Sequence, residues 1–221
     1  MSSSHAVIVG ANGLVGQECL RLLLARYDSV TAVVRRSAGR IHPRLVERRI
    51  DLARLDTIEI ATGAHVYCTL GTTMKKAGSE AAFRKVDYDY PRMLAGRASA
   101  AGGARFMLVS SVGADPRSKN FYLRVKGELE EAVRTLPMDA VHILRPSFLI
   151  GEREEPRSGE AAGIALVRAL EFALAGPLRK YRAIPASTVA AAMVAAANKN
   201  ASGCFIYHYD QICTLAHDFS P

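Results

Sequence analysis

No apolar run in the 221-residue chain approaches the ~20 residues needed to cross a bilayer. Its opening residues, Met1 to Ser4, are too few and too uncharged for a secretory leader. These absences predict a soluble, cytoplasmic protein with no membrane partner. Cysteine is sparse: Cys19, Cys68, Cys204 and Cys213 stand apart and form no C-x-x-C pair. Cys19 falls in a helical pattern, and Cys68 and Cys204 fall in apolar strand patterns, so buried, reduced thiols are expected. No His/Cys/carboxylate cluster has ligand spacing, and no metal site is predicted. Internal repeats and low-complexity linkers are missing too. The net charge of +8 raises the question of nucleic acid. However, the arginines are dispersed, as at Arg35-Arg36, Arg48-Arg49, Arg153, Arg157, Arg179 and Arg182, and the aromatic–basic interleaving of an RNA-binding sheet is absent. A generally basic surface, with no nucleic-acid partner, is the reading.

What is present is a regular alternation. The chain is 49% hydrophobic, enough to bury the core of one domain spanning residues 1–221. Strand patterns occupy 6–9, 30–34, 46–50, 64–70, 105–110, 140–144 and 204–208; helical patterns occupy 13–25, 80–101, 120–136, 161–175 and 187–197. Strands alternating with helices predict a three-layer α/β fold, a parallel sheet covered on both faces. Residues 151–159 are charged and contain proline, and read as a loop near the carboxyl edge of the sheet.

The stretch Val7-Ile8-Val9-Gly10-Ala11-Asn12-Gly13-Leu14-Val15-Gly16 reads as a buried strand, a tight glycine turn and a helix start. Such a turn aims backbone N–H groups at one spot and adds the partial positive charge of the helix terminus, which suits a nucleotide pyrophosphate. Gly10 makes the turn, Gly13 admits the phosphates, and Gly16 lets the helix pack closely. Asn12, Leu14 and Val15 complete the predicted cradle. The alternative is a glycine turn with no ligand.

Ligands of such sheets bind beyond the carboxyl ends of the strands, so the residue after each strand matters. Arg35-Arg36-Ser37 follows the second strand, where an NAD site usually places a carboxylate; two guanidiniums and a hydroxyl match a 2′-phosphate, hence NADP(H). Asp51-Leu52 follows the third strand; Asp51 either accepts from the adenine amino group or caps the next turn. Leu70, Gly71 and Thr72 follow the fourth and let backbone pass close to a ribose. Ser110-Ser111 follows the fifth and offers hydroxyls to a carbonyl oxygen. Pro146 follows the sixth and directs the chain where nicotinamide would lie.

Tyr122 and Lys126 stand four apart, on one face of a helix. A free tyrosine has a pKa of ~10 and is a poor acid or base at neutral pH. A nearby ammonium favours phenolate and lowers that pKa, so that the tyrosine can exchange a proton with an alcohol or ketone. The alternative is a half-buried tyrosine beside a surface lysine.

Taken together, Gly10 to Gly16, Cys68 to Thr73 with Lys76-Ala77-Gly78, Val86-Asp87-Tyr88-Asp89-Tyr90, Leu108 to Asp115, Tyr122 to Glu128, Leu144-Arg145-Pro146 and Phe205-Ile206-Tyr207 resemble the short-chain dehydrogenase/reductase superfamily. The likeness is sharpest to its atypical branch that includes the Tat-interacting protein, and it spans almost the whole chain. It implies a doubly wound Rossmann fold of about seven parallel strands, NADPH at the glycine turn and Arg35-Arg36, and a Ser-Tyr-Lys active site of Ser111, Tyr122 and Lys126, with Ser110 competing for the serine role. In the superfamily the lysine also bonds the nicotinamide ribose. A homodimer through the helices over 80–101 and 120–136 is implied as well. The substrate-side region, about 151–185, is short beside that of extended members.

Two readings follow. One is an NADPH-dependent oxidoreductase acting on a small carbonyl or alcohol. The other is a non-catalytic NADPH-binding regulator that senses redox state and binds a protein partner.

Overall fold

The computed structural model describes residues 4–151 and 174–219. Seven parallel strands form one sheet: β1 (His5–Val9), β2 (Ser29–Val34), β3 (Leu45–Arg49), β4 (His65–Cys68), β5 (Arg105–Val109), β6 (Ala140–Leu144) and β9 (Gly203–Tyr207). Their spatial order is β3-β2-β1-β4-β5-β6-β9. The chain therefore winds outward from β1 to β3, then crosses back to place β4 on the other side of β1. That reversal opens a crevice at the carboxyl ends of β1 and β4, where Val9 pairs with both Val33 and Cys68.

The strands are apolar runs because both faces are covered. Successive side chains point to opposite faces. Ala6 and Ile8 pack with α1 (Leu14–Arg26), α6 (Ala186–Ala197) and α7 (Tyr209–His217). Val7 and Val9 pack with α4 (Tyr90–Ala101) and α5 (Phe121–Arg134). The fold is thus the predicted doubly wound α/β architecture. Alanine-rich α6 lies against α1, its Ala190, Ala192, Ala196 and Ala197 fully buried.

The expected helix over 80–101 is interrupted. It runs as α3 (Glu80–Arg84), a π-helical turn Lys85–Asp89, and α4, with a short α2 (Met74–Ala77) before it. Pro91 explains the break: it has no N–H to donate to the carbonyl of Asp87 four residues earlier. Neither α7 nor the two-stranded sheet of β7 (Leu149–Ile150) and β8 (Ile184–Pro185) is among the expected elements. The helix expected over 161–175 and the loop over 151–159 lie almost wholly outside the described residues.

The thiols divide. Cys19 and Cys68 are buried, and burial pushes the Cys68 thiol up to about 12. Cys204 corrects the expectation of buried cysteines: it is exposed, because β9 is an edge strand, and Cys213 is half-buried. Among the described residues no helix is long and apolar enough to cross a membrane, and no group of three metal-ligating side chains occurs.

Candidate active site

The glycine turn has the geometry that its spacing predicts. Gly10 has φ +93°, and a Cβ there would sit 2.7 Å from Thr69 at the end of β4. A Cβ on Gly16 would fall 2.0 Å from the Gly10 carbonyl oxygen, so α1 can approach the turn only through a glycine. Gly13 begins the helix without a side-chain cap, and no acidic residue occupies the first turn. The first N–H groups of α1, beginning at Leu14 and Val15, therefore face the crevice with the positive end of the helix dipole. Backbone enclosed this tightly fits a pyrophosphate and leaves no room for side chains. Gly151 closes the cradle from the far side; a Cβ there would lie 2.8 Å from Leu14 Cδ1.

The loop after β2 is tied to this turn. Asn12, expected as a direct cofactor contact, uses its amide to donate to the Arg36 carbonyl at 3.0 Å and the Ser37 carbonyl at 3.4 Å. Arg35 and Arg36 are exposed, and neither guanidinium has an ion-pair or hydrogen-bond partner among the described residues. Ser37 is already engaged: its hydroxyl donates to Glu47 on β3, at 2.8 Å to Oε2 and 3.1 Å to Oε1. The Ala38 N–H donates to the same carboxylate at 2.8 Å. Sequence reasoning missed Glu47, since only the β2–β3 register brings it beside Ser37.

Asp51 caps the 3₁₀ turn Leu52–Thr57, accepting from the Ala53 N–H at 3.0 Å. Leu52, expected as a cofactor contact, has its side chain buried in the core. Leu70 packs at the edge of that core, while Gly71 is exposed and Thr72 half-buried. Pro146 is buried, and its carbonyl accepts from the Val112 N–H at 2.9 Å, joining the segments after β5 and β6.

Lys126 is nearly enclosed, its side chain 5% exposed, and its Nζ lies 2.8 Å from Asp87 Oδ1. Asp87 is fully buried on the π turn, and its Oδ2 accepts from the Thr72 N–H at 2.8 Å. The turn thus rotates a carboxylate inward and ties the α5 ammonium to the segment after β4. Burial pushes the Lys126 ammonium down, but the Asp87 carboxylate and then the Tyr122 phenol outweigh it, and its pKa ends above the ordinary lysine value. Gly71 borders the pair: a Cβ there would lie 3.9 Å from Lys126 Nζ. Tyr122, one helical turn before Lys126, is half-buried with its ring 5.6 Å from that of Phe83.

The two serines have different surroundings. Ser110 is buried and donates to Glu130 Oε1 at 2.5 Å. Glu130, also buried, is held by Arg145, whose Nη2 lies 2.5 Å from Oε2. Ser111 is half-buried, and among the described residues its hydroxyl makes only a long 3.4 Å contact with its neighbour's carbonyl, leaving it available. Gly127 allows this loop to lie on α5: a Cβ would meet the backbone of Asp115 and Pro116 at 2.3 Å. Sequence reasoning missed Gly127, Asp87, Glu130 and Arg145, whose partners only the assembled fold brings together.

Comparison with known proteins agrees with this geometry. A family model described as NAD(P)H-binding matches residues 10–200. Protein HTATIP2 of Rattus norvegicus is 34% identical over 201 residues, covering 88% of this chain and 81% of that one. Protein FMP52-1, mitochondrial, of Scheffersomyces stipitis is 36% identical over 155 residues, covering 67% of this chain and 69% of that one. Among solved structures, human epimerase family protein SDR39U1 with NADPH superposes at a TM-score of 0.65, with 16% identity, covering 92% of this chain and 74% of that one, a likeness of fold. Several fungal relatives carry the name mitochondrial, which overturns the expectation of a cytoplasmic protein. That expectation rested on what the first residues lack, and short N-terminal composition is a poor guide to compartment.

Proposed function

The chain belongs to the NAD(P)H-binding family, and from that premise we propose that it is an NADP(H)-dependent oxidoreductase acting on a small carbonyl or alcohol. The observation that carries the reading is the enclosed ammonium of Lys126, held by Asp87 beside Gly71 and one helical turn from Tyr122. The preference for NADP(H) is supported by Arg35 and Arg36, two guanidiniums unpaired among the described residues, on the loop tied to the glycine turn.

The bound nucleotide supplies or accepts a hydride. The chain's own residues do the rest. The glycine cradle and the α1 terminus hold the pyrophosphate. Tyr122 moves a proton to or from the substrate oxygen through its phenol. The Lys126 ammonium stands one helical turn from that phenol, and Asp87 fixes the ammonium in place. Ser111 donates to the substrate oxygen, while Ser110 braces the loop through Glu130.

Tyr122→Phe tests the mechanism. Reduction of a carbonyl substrate falls by roughly 10²–10⁴-fold, the usual range for a positioned acid–base group, with NADPH affinity retained. Undiminished turnover in this variant would overturn the assignment and favour the second reading, a redox-sensing regulator. The names of the fungal relatives support a mitochondrial placement, which fractionation of the native host tests.

A further inference from the structure

Ser37 follows Arg35-Arg36 directly, where a 2′-phosphate would be read, yet its hydroxyl points at a carboxylate. A hydroxyl has one proton. The Ser37 proton is committed to Glu47, whose two oxygens lie 2.8 and 3.1 Å from Ser37 Oγ. The Gly39 N–H donates to the same Oγ at 3.2 Å. A phosphate dianion only accepts, so Ser37 can offer it no hydrogen bond in this arrangement.

Glu47 is itself well held. It accepts from the Ala38 N–H at 2.8 Å, its side chain is 16% exposed, and Arg49 lies 3.7 Å away. The Ala38 N–H foremost holds its carboxyl below the usual glutamate range, so it is ionised at neutral pH. A full negative charge therefore stands behind the loop that carries Arg35 and Arg36.

We propose that Glu47 is a specificity-determining residue of the nucleotide site: it withholds the Ser37 hydroxyl from a ribose 2′-phosphate and so restrains the preference for NADP(H) over NAD(H). This rests on the NADP(H) reading above. Selectivity for the 2′-phosphate is then carried by Arg35 and Arg36, with Ser37 contributing nothing in the native chain.

The isosteric change Glu47→Gln isolates the effect. The glutamine oxygen keeps the Ala38 N–H, and its NH₂ group donates to Ser37 Oγ. The Ser37 bond reverses, its proton is freed for the phosphate, and one negative charge is removed. Calorimetric titration with NADPH and NADH reads the outcome. E47Q tightens NADPH relative to NADH by roughly tenfold, the size of one charge-assisted hydrogen bond. S37A alone costs NADPH no more than about twofold, and the E47Q/S37A double variant loses most of the E47Q gain. An unchanged or lowered NADPH preference in E47Q overturns the inference. A roughly tenfold loss of NADPH binding in S37A also overturns it, and that variant decides alone if E47Q fails to fold. The Arg35→Ala/Arg36→Ala variant separates the two levels. If it leaves NADPH affinity intact, the NADP(H) reading itself fails; if it weakens NADPH while E47Q changes nothing, only the role of Glu47 fails.

Discussion

Removing the Asp87 carboxylate should expose how much of the fold depends on one buried ion pair. Asp87 and Lys126 are 1% and 5% exposed at their side chains and 2.8 Å apart. Deleting one partner of such a pair leaves an uncompensated buried charge and costs about 3–5 kcal/mol. Asp87→Ala also strands the Thr72 N–H. In a domain of this size each kcal/mol moves the melting temperature by about 2–4 °C, so a fall of roughly 6–20 °C at pH 7 is expected.

The pH dependence carries a second signature. In the native chain the Lys126 pKa is raised. Its stabilisation is therefore complete below the unfolded lysine value of about 10.4 and is lost as pH rises through the folded value. In D87A the largest group offsetting burial is gone and burial lowers that pKa, so the unfolded chain binds more protons and stability rises with pH. The gap between the two proteins should narrow from pH 7 to pH 10. Urea denaturation at several pH values measures it. The double variant D87A/K126M should recover part of the loss, since an empty pair costs less than a broken one. A D87A loss within about 0.5 kcal/mol, the scale of an ordinary surface change, or a gap that ignores pH, would refute the reasoning.

Two further outcomes are expected. Gly127→Ala drives a methyl into the backbone of Asp115 and Pro116; it should cost at least about 1–3 kcal/mol by overpacking and displace Ser111, lowering kcat more than nucleotide affinity. His65 and His142 are both held neutral, burial foremost and Arg105 next lowering each to about 4. Because these folded values lie below the unfolded 6.5, their stabilisation is present above about pH 6.5 and is lost as pH falls towards 4. Thermal melts should drop over that window, and His142→Phe should flatten the slope.

The elements were legible because periodicity and glycine spacing are local. Apolar runs closed by Gly10, Arg35, Asp51, Leu70, Ser110 and Arg145 gave the strand ends, and so the rim of the crevice. The π turn was not read, because helical period runs through 80–101, although Pro91 lacks a donor and Asp87 is a carboxylate among helical apolar residues. Gly127 was not read either, although a glycine inside a helix weakens it unless something packs close. Other features are products of the assembled sheet. Glu47 reaches Ser37 only through the pairing of β2 with β3. Ser110 and Ser111 look alike in sequence, and only the Glu130–Arg145 pair, drawn from α5 and the segment after β6, takes one hydroxyl out of play. Cys204 becomes exposed because β9 lies at the edge.

Calorimetric titration of the nucleotide-free protein with NADPH and, separately, NADH tests the central claim most directly. The account predicts micromolar NADPH binding, about −8 kcal/mol, with weaker NADH. No binding of either nucleotide would contradict it, and would leave the glycine cradle and the Lys126–Asp87 pair as structure without that chemistry.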